Sequence, residues 1–264
     1  MLNNSIPVVM YHHVSTADRE LNVYPELFED HLDVLSRKGW KTLSGGEFLH
    51  FLHNEREKPK KCVLLTFDDG FADNYIYAYP LLKKYNMKAM LFVATGFIEE
   101  REMKREKFVS LSHNEARDMA CTERRPEVMC TWKELAEMDQ SGLFDIQSHG
   151  HSHKTPHYIR EGRYDALRED LLEGKRTLEK RLLKKIYHFA WPGGSYDEES
   201  IKIAKTLGYR ALYTIERGPN RRVDLPVLKR LPVKCRNGKW LCRKLPIYSS
   251  VLFSKLYLKI RTGI

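Results

Sequence analysis

The chain has 264 residues, of which 42% are hydrophobic, and a net charge of +10. That is enough apolar material for one large domain and too much for a disordered chain. No window approaches eighteen uninterrupted apolar residues, so no transmembrane helix is expected.

"MLNNSIPVVMYHHV" has neither the basic start nor the long apolar core of a signal peptide. The five cysteines are odd in number and form no CxxC, which fits reduced thiols and a cytoplasmic location, in solution or peripheral at the inner face of the membrane.

In chain order, "IPVVMYHHV" predicts a strand. "PELFEDHLDVLSRKGW" predicts a helix with Leu27, Phe28, Leu32 and Leu35 on one side. "SGGEFLHFLH" opens with Ser44 and Glu47 at capping-box spacing. "CVLLTF" and "KAMLFVATG" lack alternation, as strands covered on both faces do. Between them "DNYIYAYPLLKKYN" reads as a helix that Pro80 kinks or delays.

Residues 99–130 are a polar insertion without clear periodicity, placed where α/β barrels carry active-site loops; a lid or substrate-selecting loop is expected there. Thr131 and Glu134 begin another capped helix, and "LFDIQSHG" is a strand. A long charged helix spans 163–185. "IYHFAWPGG", "YRALYTI" and "VLKRLPV" follow as strands, with the helix "DEESIKIAKTLG" after the first. This βα rhythm predicts a parallel sheet or barrel covered by helices.

Two carboxylates, Asp68 and Asp69, stand side by side in "LLTFDDGFADN" at the end of a buried strand. Repulsion and desolvation oppose that pairing unless a positive charge is present. About eighty residues later "IQSHGHSHKTPH" places His149 and His153 four apart, again after a strand. Two imidazoles and a carboxylate are a common catalytic metal set, and a divalent cation would make the paired carboxylates tolerable. One aspartate then stays free to act as a base.

"TFDDG", "SHGHSH" and "FAWPGG", in that order, resemble the polysaccharide deacetylase family (carbohydrate esterase family 4, the NodB-homology domain) over roughly residues 7–233. The resemblance implies a distorted (β/α)7 barrel and metal-dependent removal of an acetyl group from an N-acetylated sugar of a glycan or lipid-linked glycan precursor. It implies Asp68 as general base and Asp69, His149 and His153 as metal ligands. The backbone N–H of Gly193 falls at the oxyanion position. Zinc is the expected metal, with cobalt, nickel or manganese also compatible.

Three departures accompany the match. Gly150 stands where the family carries a hydroxyl, and Ala190 stands where an arginine would orient the base. The late histidine that supplies the acid in many members is absent from "VLKRLPV". The first strand instead ends in "MYHHV", similar to the subgroup of poly-N-acetylglucosamine deacetylases whose YH motif provides that acid; His12 matches it and His13 should point the other way. Trp191, Pro192 and Tyr196 are candidates for substrate contact. Alternatives on the same barrel are a hydrolase of a non-sugar or cyclic amide, or a decayed glycan-binding protein favoured by Ala190.

From Leu225 to the C-terminus there are ten Lys/Arg and no Asp or Glu, so the preceding 224 residues are electrically balanced. Residues 234–264 mix these cations with Trp240, Leu252, Phe253 and Leu256 and form a basic amphipathic tail beside a catalytic domain of residues 1–233. An anionic membrane surface is its expected partner, with a packed C-terminal helix as the alternative. No nucleic-acid recognition motif is present.

Overall fold

The structure, a computed structural model, describes residues 4–17, 21–54, 57–106 and 108–262. Residue 107 of the predicted insertion and residues 263–264 of the predicted tail lie outside these.

The strands are β1 (Val8–Tyr11), β2 (His13–Val14), β3 (Asn22–Val23), β4 (Lys41–Thr42), β5 (Cys62–Phe67), β6 (Ala89–Val93), β7 (Phe144–Ser148), β8 (His188–Ala190), β9 (Ala211–Tyr213), β10 (Val227–Leu228) and β11 (Leu231–Pro232). The α-helices are α1 (Pro25–Arg37), α2 (Gly45–His53), α3 (Tyr79–Tyr85), α4 (His113–Ala120), α5 (Trp132–Gln140), α6 (Thr155–Arg160), α7 (Tyr164–Leu182), α8 (Glu198–Thr206), α9 (Gly238–Tyr248) and α10 (Val251–Thr262).

The main sheet runs β10-β9-β8-β7-β6-β5-β1-β11, and every pairing in it is parallel. Its two edges, β10 and β11, are halves of the single predicted strand "VLKRLPV". That short segment crosses from one edge to the other at Lys229–Arg230 and closes the barrel at a shared seventh position.

Period-two alternation sorts the side chains. Leu64, Met90, Phe92, Ala190, Tyr213 and Leu228 fill the interior, while Leu65, Phe67, Leu91 and Phe189 face the helices. The expected absence of alternation in β5 and β6 follows from this double burial.

Ser44 and Thr131 form the capping boxes that their spacing predicts. Pro80 delays its helix: a π-turn spans Asn74–Ala78 and regular helix starts at Tyr79, where a missing N–H costs nothing. The insertion contains an unpredicted helix, α4, with a Ser112–Glu115 capping box. Arg105 ties the insertion down with a two-pronged bond to Glu134 (2.8 Å each) and bonds to the Pro126 and Met129 carbonyls.

The basic tail is two helices. α9 packs on α1 through buried Leu241 and Leu245, and α10 folds back onto α9, where Tyr257 meets Tyr248 edge-on. No described helix is long and apolar enough to cross a membrane.

Candidate active site

The chain turns sharply where β5 ends. Asp69 and Gly70 both take positive φ, 77° and 90°. For an aspartate this is a strained backbone, held by its surroundings. The turn sends the neighbouring carboxylates in different directions.

Asp69 Oδ1 lies 3.4 Å from His149 Nε2 and 3.3 Å from His153 Nε2. The three ligand atoms lie within 4.8 Å of one another, the one such His/Cys/Asp/Glu group among the described residues. His149 donates Nδ1–H to the Ala190 carbonyl at 2.8 Å, which leaves Nε2 as the free base facing Asp69. Two imidazole nitrogens and a carboxylate oxygen converging on one point are the donor set of a divalent ion, so the residues fit a metal. Burial opposes ionisation of Asp69, yet the two imidazoles facing it hold its carboxyl well below the usual range.

The loop carrying the histidines is braced from behind. Asp170, on α7, accepts the N–H groups of His151 (3.1 Å) and Ser152 (2.8 Å). Gly150 has φ 84°, and a Cβ there would sit 2.6 Å from the Asp170 carboxylate. The Asp170 carboxylate leaves no room for a side chain at position 150, which accounts for the glycine there. His151 points away from the metal ligands and bonds Thr95 Oγ1 at 2.9 Å.

Asp68 turns toward the barrel interior and meets Arg230. The guanidinium forms two parallel bonds, Nη1 to Oδ1 at 2.6 Å and Nη2 to Oδ2 at 2.8 Å, and donates Nε–H to the Thr214 carbonyl. Both groups are buried. Burial alone would raise the Asp68 carboxyl; Arg230 overrides it and holds the group below its ordinary value.

Arg230 gives Asp68 the guanidinium partner that Ala190 does not supply; the sequence reading places it in the strand "VLKRLPV" without a role, because its charge is counted with the basic stretch from Leu225 onward. One signal was available: with period two, Arg230 shares its side with Leu228 and must face inward, whereas Lys229 reaches Glu216 outside at 3.8 Å.

His12 lies at the tip of β1 with Nε2 3.9 Å from Asp68 Oδ2. Burial lowers its pKa despite the nearby carboxylates. His13 points elsewhere, as the alternation predicts. Its Nδ1 donates to Asp73 at 2.5 Å, its Nε2 joins His113 Nδ1 of α4 at 3.1 Å, and its ring stacks on Phe71. The insertion is thus fastened to the residue next to His12.

A cavity of about 250 Å³ opens beside the Asp69–His149–His153 cluster, lined by Asp69, His153, Phe71, Phe97, Met129 and, from α4, Arg117. Trp191 is not on it. It is fully buried, edge-on to Phe189, and offers no ring face to a ligand. Pro192 is buried beside it. The aromatic adjacent to the third motif is core, because "AW" continues β8 straight into the barrel wall. Gly193 is exposed with φ 59°, and half-buried Tyr196 stacks on Trp191 while its hydroxyl donates to Glu216 at 2.6 Å.

The polysaccharide deacetylase family model matches residues 55–212. YxkH of Bacillus subtilis, named as a candidate polysaccharide deacetylase, is 30% identical over 217 residues, covering 82% of this chain and 67% of its own length. The poly-beta-1,6-N-acetyl-D-glucosamine N-deacetylase of Staphylococcus aureus is 26% identical over 75% of this chain, which spans only 62% of that relative. Among solved structures, the Streptococcus pyogenes deacetylase PplD in complex with acetate superposes with a TM-score of 0.76 at 27% identity, covering 91% of this chain and 98% of its own. Barrel, motif order and relatives agree, and the chain belongs to the polysaccharide deacetylase family.

Proposed function

We propose that the protein is a metal-dependent N-deacetylase that releases acetate from N-acetylated glucosamine units of a glycan or a lipid-linked glycan precursor. One observation carries this reading: Asp69, His149 and His153 converge within 4.8 Å while adjacent Asp68 is turned away from them and held by Arg230. The relative named for poly-beta-1,6-N-acetyl-D-glucosamine supports the sugar. The buried arginine speaks against a decayed site, since the missing partner of the base is supplied from another strand. The five free thiols favour a reducing, cytoplasmic setting.

Asp69, His149 and His153 would hold the ion, with zinc the expected metal and cobalt, nickel or manganese acceptable to the same donors. When bound, it supplies Lewis acidity toward the acetyl carbonyl and lowers the pKa of the attacking water. Asp68 takes the proton of that water; Arg230 keeps its carboxylate ionised and fixed in plane. The Gly193 N–H meets the charge that grows on the carbonyl oxygen. The carbon–nitrogen bond then breaks as His12, beside Asp68, passes to the departing amine the proton that Asp68 took from the water, which leaves Asp68 ionised and His12 neutral again. Burial disfavours the imidazolium, so His12 holds that proton only in passing. Phe71, Phe97 and Met129 give the cavity apolar walls against which a sugar ring can lie.

Metal analysis combined with acetate release from a panel of N-acetylated saccharides tests the reading. Asp68→Asn should keep wild-type metal content and lose acetate release by about 1,000-fold or more. A protein that binds no divalent metal, or an Asp68→Asn variant as active as wild type, would overturn it.

A further inference from the structure

The last helix is apolar on two opposite sides. The side bearing buried Val251 and Ser254 packs on α9, where Ser254 Oγ donates to the Ile247 carbonyl at 3.0 Å and Tyr257 accepts from Lys244 at 2.8 Å. On the far side Leu252, Phe253, Leu256 and Ile260 are 64%, 44%, 53% and 74% exposed. At 3.6 residues per turn these four fall within an arc of about 100°, roughly opposite the packed side. They are half of the eight large exposed hydrophobics among the described residues, so the exposure is concentrated on this one helix and not scattered.

The charges around this stripe are of one sign. Lys255 and Lys259 flank it, Arg261 follows, and Lys239, Arg243 and Lys244 lie on α9. No acidic residue occurs from Leu225 onward. Arg230 pairs with Asp68 and Lys229 with Glu216, both away from α10.

We propose that the outer face of α10 rests on the surface of an anionic lipid bilayer, Leu252, Phe253, Leu256 and Ile260 entering the headgroup–acyl boundary and the lysines remaining among the headgroups. α10 lies in the plane of the surface, since no described helix is suited to crossing. A second copy of the chain is the poorer occupant: mating the two stripes would bring like cations together with no carboxylate on either side to offset them. An anionic bilayer supplies apolar depth and opposite charge at once. This surface is independent of the catalytic reading, and either can fail without the other.

The test is sedimentation of the full chain with vesicles of phosphatidylcholine alone or mixed with phosphatidylglycerol. Binding is expected only with the anionic lipid, weakening as salt screens the lysines. Leu256→Asp/Ile260→Asp should reduce vesicle binding at least about tenfold, with melting temperature and acetate release from a soluble substrate unchanged, because both side chains are exposed. Lys255→Gln/Lys259→Gln should reduce binding to anionic vesicles and flatten its salt dependence. No binding to anionic vesicles, or equal binding by the aspartate variant, would overturn the proposal. So would a concentration-dependent dimer that the aspartate variant abolishes.

Discussion

At the scale of single residues, the site solves a problem of two adjacent negative charges in a buried place. Asp69 is turned by a left-handed backbone toward two histidines, and Asp68 is met by a fully buried guanidinium. An arginine suits the second task better than a lysine, because its planar fork fixes the carboxylate in orientation as well as charge. Arg230→Lys preserves the compensating charge and removes the fork. It should lower kcat for acetate release about 100-fold while metal content and fold stay near wild type. An Arg230→Lys enzyme with wild-type kcat, or one that loses its metal, would refute a positioning role for this side chain.

The residues legible in the sequence were those whose chemistry is local. Asp68 and Asp69 are neighbours, and His149 and His153 lie one helical turn's length apart in a single loop, so spacing alone marks them. Arg230 is 162 positions from its partner and Asp170 is 19 from the loop it braces. No short motif joins such pairs; each becomes visible only once the strands are ordered. Trp191 illustrates the opposite error. Its position next to the third motif placed it near the site in sequence, yet strand alternation puts it in the core.

At the scale of elements, the loop carrying His149 and His153 depends on how closely α7 approaches it. Gly174 on that helix faces the Gly150 backbone, and a Cβ there would stand 2.6 Å from the Gly150 carbonyl carbon and 2.7 Å from its oxygen. Both obstacles are backbone, so the helix or the loop must shift. Gly174→Ala should destabilise the protein by about 1–3 kcal/mol and weaken metal affinity about tenfold, in spite of alanine's better helix propensity. Gly46→Ala in α2 is the matched control: nothing lies within 4 Å of its added methyl, and helix propensity alone should leave it neutral or slightly stabilising. Equal behaviour of the two variants, in thermal melting and metal titration, would show that the close approach is not needed.

The charge of the insertion and its weak periodicity hid α4, although its Ser112–Glu115 cap has the same spacing as two caps that were read correctly. An exposed helix with only Ala116 and Ala120 buried has too thin an apolar stripe to stand out by periodicity. Its place is set by tertiary contacts, chiefly His113 on His13 and Arg105 on Glu134.

At the scale of the whole molecule, the fold buries two histidines, His31 and His188, outside the Asp69–His149–His153 cluster, and these contribute to its response to acid. His31 donates Nε2–H to the Arg236 carbonyl at 2.6 Å and accepts from the Tyr11 hydroxyl at Nδ1, tying α1 to the start of the C-terminal helices. His188 bonds the Tyr213 hydroxyl at 2.9 Å inside the barrel. Burial pushes both rings down to about 4 from the ordinary 6.5. The folded state therefore binds fewer protons than the unfolded chain between those values. Their contribution to stability is complete above pH 6.5 and is lost progressively as pH falls toward 4, by up to about 1.4 kcal/mol per pH unit for each ring. His13 and His149, raised by Asp73 and Asp69 against the effect of burial, act in the opposite sense, so the measurement has to be a difference. Denaturant unfolding of wild type and of His31→Asn/His188→Asn across this range should show a shallower loss of stability in the variant, even though the variant is less stable at neutral pH. Parallel pH profiles would mean that the two imidazoles are already protonated or exposed in the fold, which their burial and their hydrogen bonds to a carbonyl and two phenols oppose.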